Sequence, residues 1–420
     1  MSLLITQVTV TPIAFPDPPL LNVAGVHQPW ALRTIVEVRT DAGVVGIGES
    51  YGDQPHLDLM NRAAAGLVGL DAFDLNGLRA RVAEAVGAED TPAGTGLIGA
   101  SSNQKTIARV VSPFEVACLD AQGLALERPV SDLLGGRVRD RVSFSAYLFY
   151  KWAAHPGAEP DEWGPALDPA GIVAQARQMI DAYGFESIKL KGGVFEPDAE
   201  IAAIRALREE FGDHPLRLDP NCGWTPATSI RVAEETTGLL EYLEDPTPGI
   251  DGMSEVAQSA SMPLATNMCV VAFDHIAEAV AKRAVGVILS DHHYWGGLRA
   301  SAELAAICRT FGIGLSMHSN THLGISLAAM THLAAATPNL EYALDTHTPW
   351  QGGVDVVTDP LTFRNGALDV PTTPGLGVTL DRDGLERMHR DYLDCGIRSR
   401  DDTGYMRQFE PGFTRRTASW

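Results

Sequence analysis

From about residue 142 onward, short apolar runs alternate with longer stretches whose apolar residues recur every three or four positions. The short runs predict strands at Ser143–Tyr147, Ser187–Lys191, Leu216–Asp219, Tyr242–Glu244, Leu264–Asn267, Val287–Asp291, Gly314–His318 and Tyr342–Asp345. Most are apolar and stop at a polar or charged residue. From the second strand on, successive ends lie about 23 to 28 residues apart, room for one strand and one helix per step. One helix shows the pattern clearly. Asp168-Pro169 supplies a cap and a first-turn proline, Ile172, Ala176, Met179, Ile180 and Tyr183 share a face, and Gly184 stops it. Eight such parallel βα units predict an α/β fold of the (β/α)8 TIM-barrel type, whose strand ends face one mouth.

The residues before the barrel read differently. Leu4–Phe15, Thr34–Thr40 and Val44–Gly48 predict strands, the last two joined by a turn at Asp41-Ala42-Gly43. Between them, Pro18–Trp30 is an apolar, proline-rich loop that carries Asn22 and His27, and an apolar loop of that length is expected to cover something. Residues 60–127 predict mostly helix, interrupted by a Gly/Ser loop at Gly94–Asn103. After residue 361 a Gly/Pro-rich stretch precedes a short helix at Asp383–Asp394, placed to return toward the mouth.

Composition narrows the function. The chain has 420 residues, 45% hydrophobic and 20% charged, which suits an ordinary globular protein. Its formal charge of −21 argues against binding nucleic acid or an anionic membrane, and an anionic substrate would need local positive charge at its site. Cys118, Cys222, Cys269, Cys308 and Cys395 are odd in number and show no CxxC spacing, so a reducing cytoplasm is expected. No transmembrane run or signal pattern is seen.

The strand ends carry the candidate chemistry. Lys189 and Lys191 alternate along one strand and so share a face, where two ammonium groups are expected to depress each other's pKa and leave a general base. Alone, such a pair is usually two solvated surface lysines. Asp219, Glu244 and Asn267 end three consecutive strands, and three converging oxygen donors suit Mg²⁺. Any one of them alone would be an ordinary strand-end polar residue. The amide in third place removes one negative charge and favours a more anionic substrate. Asp291 and His318 end the next two strands, where a carboxylate would fix the imidazole tautomer and raise its basicity. His292 and His293 receive no role. A lysine base, a metal and an Asp–His pair form a layout for removing a proton α to a carboxylate, with enolate stabilisation by the metal and Lys189. His332, on an apolar helix, is expected to be a packed residue with a hydrogen-bond partner, and Gly46-Ile47-Gly48 and Gly375-Leu376-Gly377 are not dinucleotide fingerprints.

Specific motifs then point to a family. They are Phe185-Glu186-Ser187-Ile188-Lys189-Leu190-Lys191-Gly192-Gly193-Val194, Leu218-Asp219-Pro220-Asn221, Tyr242-Leu243-Glu244-Asp245-Pro246 and Ala265-Thr266-Asn267-Met268. Asp291-His292-His293-Tyr294-Trp295, His318-Ser319-Asn320-Thr321-His322, Asp345-Thr346-His347, Leu21–His27 and Arg400-Asp401-Asp402 complete the set. Together they resemble the enolase superfamily, and within it the D-glucarate dehydratase group, over nearly the whole chain. The resemblance implies an α+β capping domain formed by residues 1–138 and the C-terminal return 361–420, over a barrel at 139–360. It implies Lys191 and His318 as bases on opposite faces of the substrate, assisted by Asp291, Lys189 and Asn320, and Mg²⁺ on Asp219, Glu244 and Asn267. His27, Asn22, Tyr147, Lys189, Asn221, Ser319, Asn320, His347 and Arg400 match substrate-contact positions, and Ser101 is the candidate from the 94–108 loop. The implied activity is dehydration of D-glucarate, and of L-idarate, to 5-dehydro-4-deoxy-D-glucarate. Alternatives are dehydration of another aldarate or sugar acid, or a non-catalytic binding homologue. The implied partner is a small aldarate, and a homo-oligomer is expected.

Overall fold

A computed structural model of the chain describes residues 2–87 and 100–420. The expected Gly94–Asn103 loop therefore lies outside the described residues as far as Gly99. Seven parallel strands form one curved sheet in sequential order: Ala146–Phe149, Ile188–Lys191, Leu216–Asp219, Tyr242–Glu244, Leu264–Thr266, Val287–Ser290 and Gly314–Met317.

The two ends of this series differ from the sequence expectation. The first barrel strand is Ala146–Phe149 and not Ser143–Tyr147. Its four residues are all buried, as befits a strand covered on both faces. Arg141–Ser143 alternates exposed and buried positions, and pairs antiparallel with Ala367–Asp369 instead. The expected eighth strand, Tyr342–Asp345, survives only as a parallel bridge between Leu344 and Phe144. Leu344 N–H donates to Ser143 O at 2.9 Å and Asp345 N–H to Met317 O at 3.0 Å, so the segment still links the last strand to the first and closes the ring. Leu344 O accepts from Ser145 N at 2.8 Å, but the neighbouring carbonyl of Ala343 is taken by side chains. Arg217 Nη1 and Ser316 Oγ donate to Ala343 O at 2.7 and 2.9 Å.

Barrel helices begin where the sequence caps them. Asp168 Oδ1 accepts from Gly171 N at 2.8 Å before Pro169–Tyr183, and Thr225 Oγ1 accepts from Thr228 N at 3.3 Å before Pro226–Glu235. In Pro169–Tyr183, Ile172, Ala176 and Met179 are buried, while Ile180 and Tyr183 sit half-buried at its edge. Gly184 ends this helix at φ +73°, and a Cβ there would stand 2.8 Å from Asn365 Cα. The helix Gly324–Ala336 is buried all round, because the N-terminal residues cover its outer face. His332 within it accepts from Ser131 N at 3.3 Å and donates Nε2–H to Leu376 O at 3.0 Å, as expected of a packed histidine.

The N-terminal strands Ile5–Pro16, Trp30–Thr40 and Val45–Tyr51 form an antiparallel sheet. Its third strand lies against the helix Asn103–Leu126 so closely that a Cβ at Gly46 would be 1.9 Å from Ala117 O. The helix Arg382–Asp394 returns onto the first strand, where His389 Nδ1 donates to Pro12 O at 2.7 Å. The apolar 18–30 loop holds a two-residue hairpin, Leu21–Asn22 with Gly25–Val26.

One buried ion pair joins this sheet to the barrel. Arg33 donates to Glu49 at 2.8 Å with both side chains fully buried. Glu49 also accepts from Leu323 N at 2.9 Å and Ser326 N at 2.8 Å, at the start of the buried helix. Arg33→Met is expected to lower unfolding free energy by about 3–5 kcal/mol, since it strands a buried carboxylate. Urea denaturation checks this, and a loss under about 1 kcal/mol would fit an exposed pair instead. Among the described residues, no helix is long and apolar enough to cross a membrane.

Candidate active site

Strand geometry brings the polar ends together at the C-terminal mouth. Lys189 and Lys191 alternate along the second strand and both point inward. Lys189 Nζ stands 2.7 Å from Glu244 Oε2, 2.7 Å from Asp345 Oδ2 and 3.5 Å from Asp219 Oδ2. Lys191 Nζ donates to Asp219 Oδ2 and Asn221 Oδ1, each at 2.6 Å. Asn221 reaches that lysine from a left-handed turn, φ 53°, fastened by its own N–H to Asp219 Oδ1 at 3.0 Å.

This geometry corrects the expected mutual depression at Lys189. Burial pushes the ammonium down, but Asp345, Glu244, Tyr147 and Asp219 together hold it well above the usual lysine range. Lys189 is thus a fixed cation and not a base. Burial raises Asp219, but Lys191 and Lys189 outweigh it and bring the carboxyl to about 2. Burial, by contrast, lifts Glu244 well above the ordinary carboxylate range.

Asp219, Glu244 and Asn267 stand at three adjacent strand ends. Among the described residues, neither carboxylate oxygen of Glu244 has a hydrogen bond of good geometry, although Lys189 Nζ lies close to Oε2. A buried acceptor without a donor is what a hard cation satisfies, so these residues fit a divalent oxygen-seeking ion. Asp245 supports the group from behind. It accepts from Thr266 Oγ1 at 2.5 Å, Asn267 N at 2.8 Å and Met268 N at 3.1 Å, which fixes the chain at the third donor.

Across the mouth, His318 Nδ1 donates to Asp291 Oδ2 at 3.2 Å, as the strand ends suggested. Asp291 also accepts from Tyr51 Oη at 3.2 Å, and from His293 N and Nδ1 at 2.9 and 2.8 Å. Burial works to raise Asp291, yet His293, His322 and the donated bonds hold it well below the usual range. The expected rise in His318 basicity does not prevail. Burial outweighs the support of Asp291 and leaves the imidazole below its ordinary value, hence neutral at pH 7.

The expected substrate contacts divide into groups. Tyr147 lies under the lysines, its ring centroid 4.7 Å from Lys189 Nζ, and packs at 5.0 Å from the His347 ring. His347 Nδ1 is buried without a hydrogen-bond partner among the described residues. Ser319 and Asn320 are buried in the loop after the seventh strand. His27 Nδ1 donates to Asp17 Oδ2 at 3.0 Å, and Arg400 donates to Asp402 Oδ2 at 2.7–2.8 Å. Asp17, Arg400 and Asp402 line a cleft shared with Tyr51, Asp53 and Asn320, between the N-terminal sheet and the mouth. Asn22 is set apart, since its Oδ1 accepts Ala24 N at 2.7 Å and closes its own hairpin. Ser101 is exposed and follows Ala100, whose N–H donates to Met268 O at 2.8 Å beside Asn267.

Sequence reasoning missed Tyr51, His293 and Lys105. The Asp291-x-His293 spacing was a usable local signal, because a strand-end aspartate can accept the N–H two residues on. Tyr51 lies 240 residues from Asp291, and nothing in its neighbourhood announces the contact. Lys105 Nζ donates to Ala100 O at 2.9 Å, and burial, helped by Arg109, brings it down to about 7.

Family models match both halves of the chain. The enolase C-terminal domain-like family covers residues 171–384, and the mandelate racemase/muconate lactonizing enzyme N-terminal domain covers residues 5–135. The chain belongs to the enolase superfamily. A Streptomyces coelicolor protein described as "Probable glucarate dehydratase" is 56% identical, with 97% of each chain covered. Among solved structures, an enolase from Thermobispora bispora complexed with magnesium and formate superposes with a TM-score of 0.98 at 64% identity, covering all of both chains. An enolase from Pseudomonas fluorescens with bound magnesium, potassium and tartrate superposes at 0.96 with 50% identity, again covering all of both chains. Tartrate is a dicarboxylic hydroxy acid. Superfamily relatives thus bind a divalent metal, and the curated relative is named as an acid-sugar dehydratase.

Proposed function

We propose that this protein is a Mg²⁺-dependent hydro-lyase that dehydrates D-glucarate, and L-idarate, to 5-dehydro-4-deoxy-D-glucarate. The observation that carries the reading is the placement of Lys191 and the His318–Asp291 pair on two sides of the acidic strand ends, in a chain so similar to the Streptomyces protein. Asp219, Glu244 and Asn267 hold the metal. When bound, it supplies positive charge to the substrate carboxylate and so acidifies the α-proton.

The chain's own groups do the rest. Lys189, kept protonated by its carboxylate neighbours, supports charge developing on that carboxylate. Lys191 or His318 takes the C5 proton, according to the face presented. His318 then gives a proton to the C4 oxygen, the one it has just taken from glucarate or, on the idarate route, one taken up beforehand from solvent. That oxygen leaves as water, and the resulting enol becomes the keto acid. Asn320 and Ser319 border the leaving group, with His27, Asn221, Tyr147, His347 and Arg400 around the substrate. The 18–30 segment excludes water. The metal, the small acid-sugar ligand, a homo-oligomeric state and a cytoplasmic setting all belong to this reading.

A screen of aldarates and aldonates, read as 2-keto-acid formation with added Mg²⁺, tests it. D-Glucarate and L-idarate are expected to turn over. Turnover confined to another acid sugar would move the substrate and keep the chemistry, and no turnover of any would favour a binding protein.

A further inference from the structure

The N-terminal sheet sends a buried polar chain into the histidine–aspartate pair of the barrel. Tyr51, the last residue of its third strand, donates to Asp291 Oδ2 at 3.2 Å, the same oxygen that His318 Nδ1 reaches at 3.2 Å. The other oxygen is occupied by His293 N–H and Nδ1, both from the residue two places on. Tyr51 is thus the donor that the capping sheet contributes to this carboxylate.

Tyr51 is itself held from both sides. The Arg33 guanidinium lies 4.8 Å from its ring centroid and that of Arg109 5.1 Å, and its ring stacks on Tyr294 at 5.8 Å and 10°. Arg33 is fixed in turn by Glu49, and its Nη2 stands 3.2 Å from His293 Nε2. The chain of contacts therefore runs from the cap ion pair, through Tyr51 and His293, to both oxygens of Asp291. Burial and the charge of Asp291 keep the Tyr51 hydroxyl well above the usual phenol range, so it stays a donor throughout neutral pH.

We propose that Tyr51 is a positioning residue, which shares Asp291 Oδ2 with His318, holds that carboxylate still and tempers its pull on the imidazolium, and so ties the reacting histidine to the seated capping sheet. This rests on the reading of His318 as the general acid–base. A carboxylate with donors on both oxygens does not swing, whereas one relieved of Tyr51 accepts more fully from His318.

Other charged groups face the pair and stay unchanged when the hydroxyl is removed. Lys189 faces His318 from the second barrel strand, and Asp345 and His347 from the segment that closes the ring. His322 Nε2 lies 3.6 Å from Asp291 Oδ2, and the Tyr294 ring lies 6.0 Å from that of His318. Lys105 and Arg109 approach from the helix Asn103–Leu126, and Arg33 and Glu49 from the sheet.

Tyr51→Phe keeps the ring, its stacking and its cation contacts, and deletes only the hydroxyl. With one competing donor gone, Asp291 stabilises the imidazolium more strongly, so the His318 proton should be held to higher pH. The expected result is an upward move of about one pH unit in both the His318 titration and the acid limb of kcat/KM, with kcat down about tenfold and KM little changed. The titration is read by NMR on ¹⁵N-histidine protein, with the His318 signal assigned by its loss in His318→Gln. A mere packing defect would lower both parameters or the yield without moving the titration. An unchanged titration overturns the proposal even if aldarates turn over normally. A shifted titration in a protein that turns over no aldarate supports the positioning role and overturns the assigned function.

Discussion

His318→Asn is expected to abolish dehydration of both D-glucarate and L-idarate, with a rate loss on the order of 10²–10⁴-fold or more. The two substrates differ only at C5, so each offers its C5 proton to a different side of the mouth. Lys191 projects from the second strand and His318 follows the seventh, which separates the two groups across the ring of strands. In our reading His318 removes the glucarate proton and Lys191 the idarate proton, whereas His318 alone protonates the departing hydroxyl. The variant should therefore still exchange the idarate C5 proton with deuterium, through Lys191, without forming product. Lys191→Ala should lose idarate turnover and retain slow glucarate dehydration. Proton NMR in deuterium oxide separates these outcomes. Exchange of glucarate at C5 by the His318→Asn protein, before any epimerisation, would show that the faces are reversed.

His318 is held below its ordinary pKa by burial, which sets the pH sense of this experiment. Toward glucarate the wild-type base stays neutral, and so competent, to below the usual histidine range, and that activity should fall at low pH only as pH drops through its depressed value.

Removal of the metal site should be equally severe. Asp219→Ala, or exhaustive chelation of the wild-type protein, is expected to lower turnover by at least about 10³-fold, since a metal supplies several kcal/mol of charge stabilisation. In this structure Asp219 also accepts from Lys191 at 2.6 Å, so the substitution removes one of that lysine's two acceptors as well. Chelation separates the two effects, because Mg²⁺ should restore the chelated wild type and not the variant. Activity that persists after chelation would sink the assignment of Asp219, Glu244 and Asn267.

Much of the site could be read along the chain because a barrel turns a one-dimensional spacing into a ring. Each strand is apolar until its C-terminal end, so the first polar residue marks the mouth. Asp219 and Glu244 each end the observed strand in which they were placed. The same logic went astray at Ser143–Tyr147. There, alternating burial marks a strand that pairs outside the barrel, and a run of aromatic and apolar residues does not reveal where one sheet stops and the next begins. It also read a full strand at Tyr342–Asp345, where the side chains of Arg217 and Ser316, distant in sequence, take the carbonyl that a ladder would need.

The sequence by itself determined the superfamily, the barrel and the identity of the groups at its mouth. Strand period, caps and helix stops are local, and so is the identity of a strand-end residue. Only the tertiary structure decided what those groups are at neutral pH. Lys189 and Lys191 look equivalent in the sequence, yet Lys189 meets Glu244 and Asp345 at 2.7 Å and becomes a fixed cation. Asp291 looks like half of a simple pair, yet Tyr51 and His293 also hold it. Protonation and orientation depend on burial and on charges contributed by residues far apart in the chain. Those distances exist only once the sheet has closed and the N-terminal strands have packed over it.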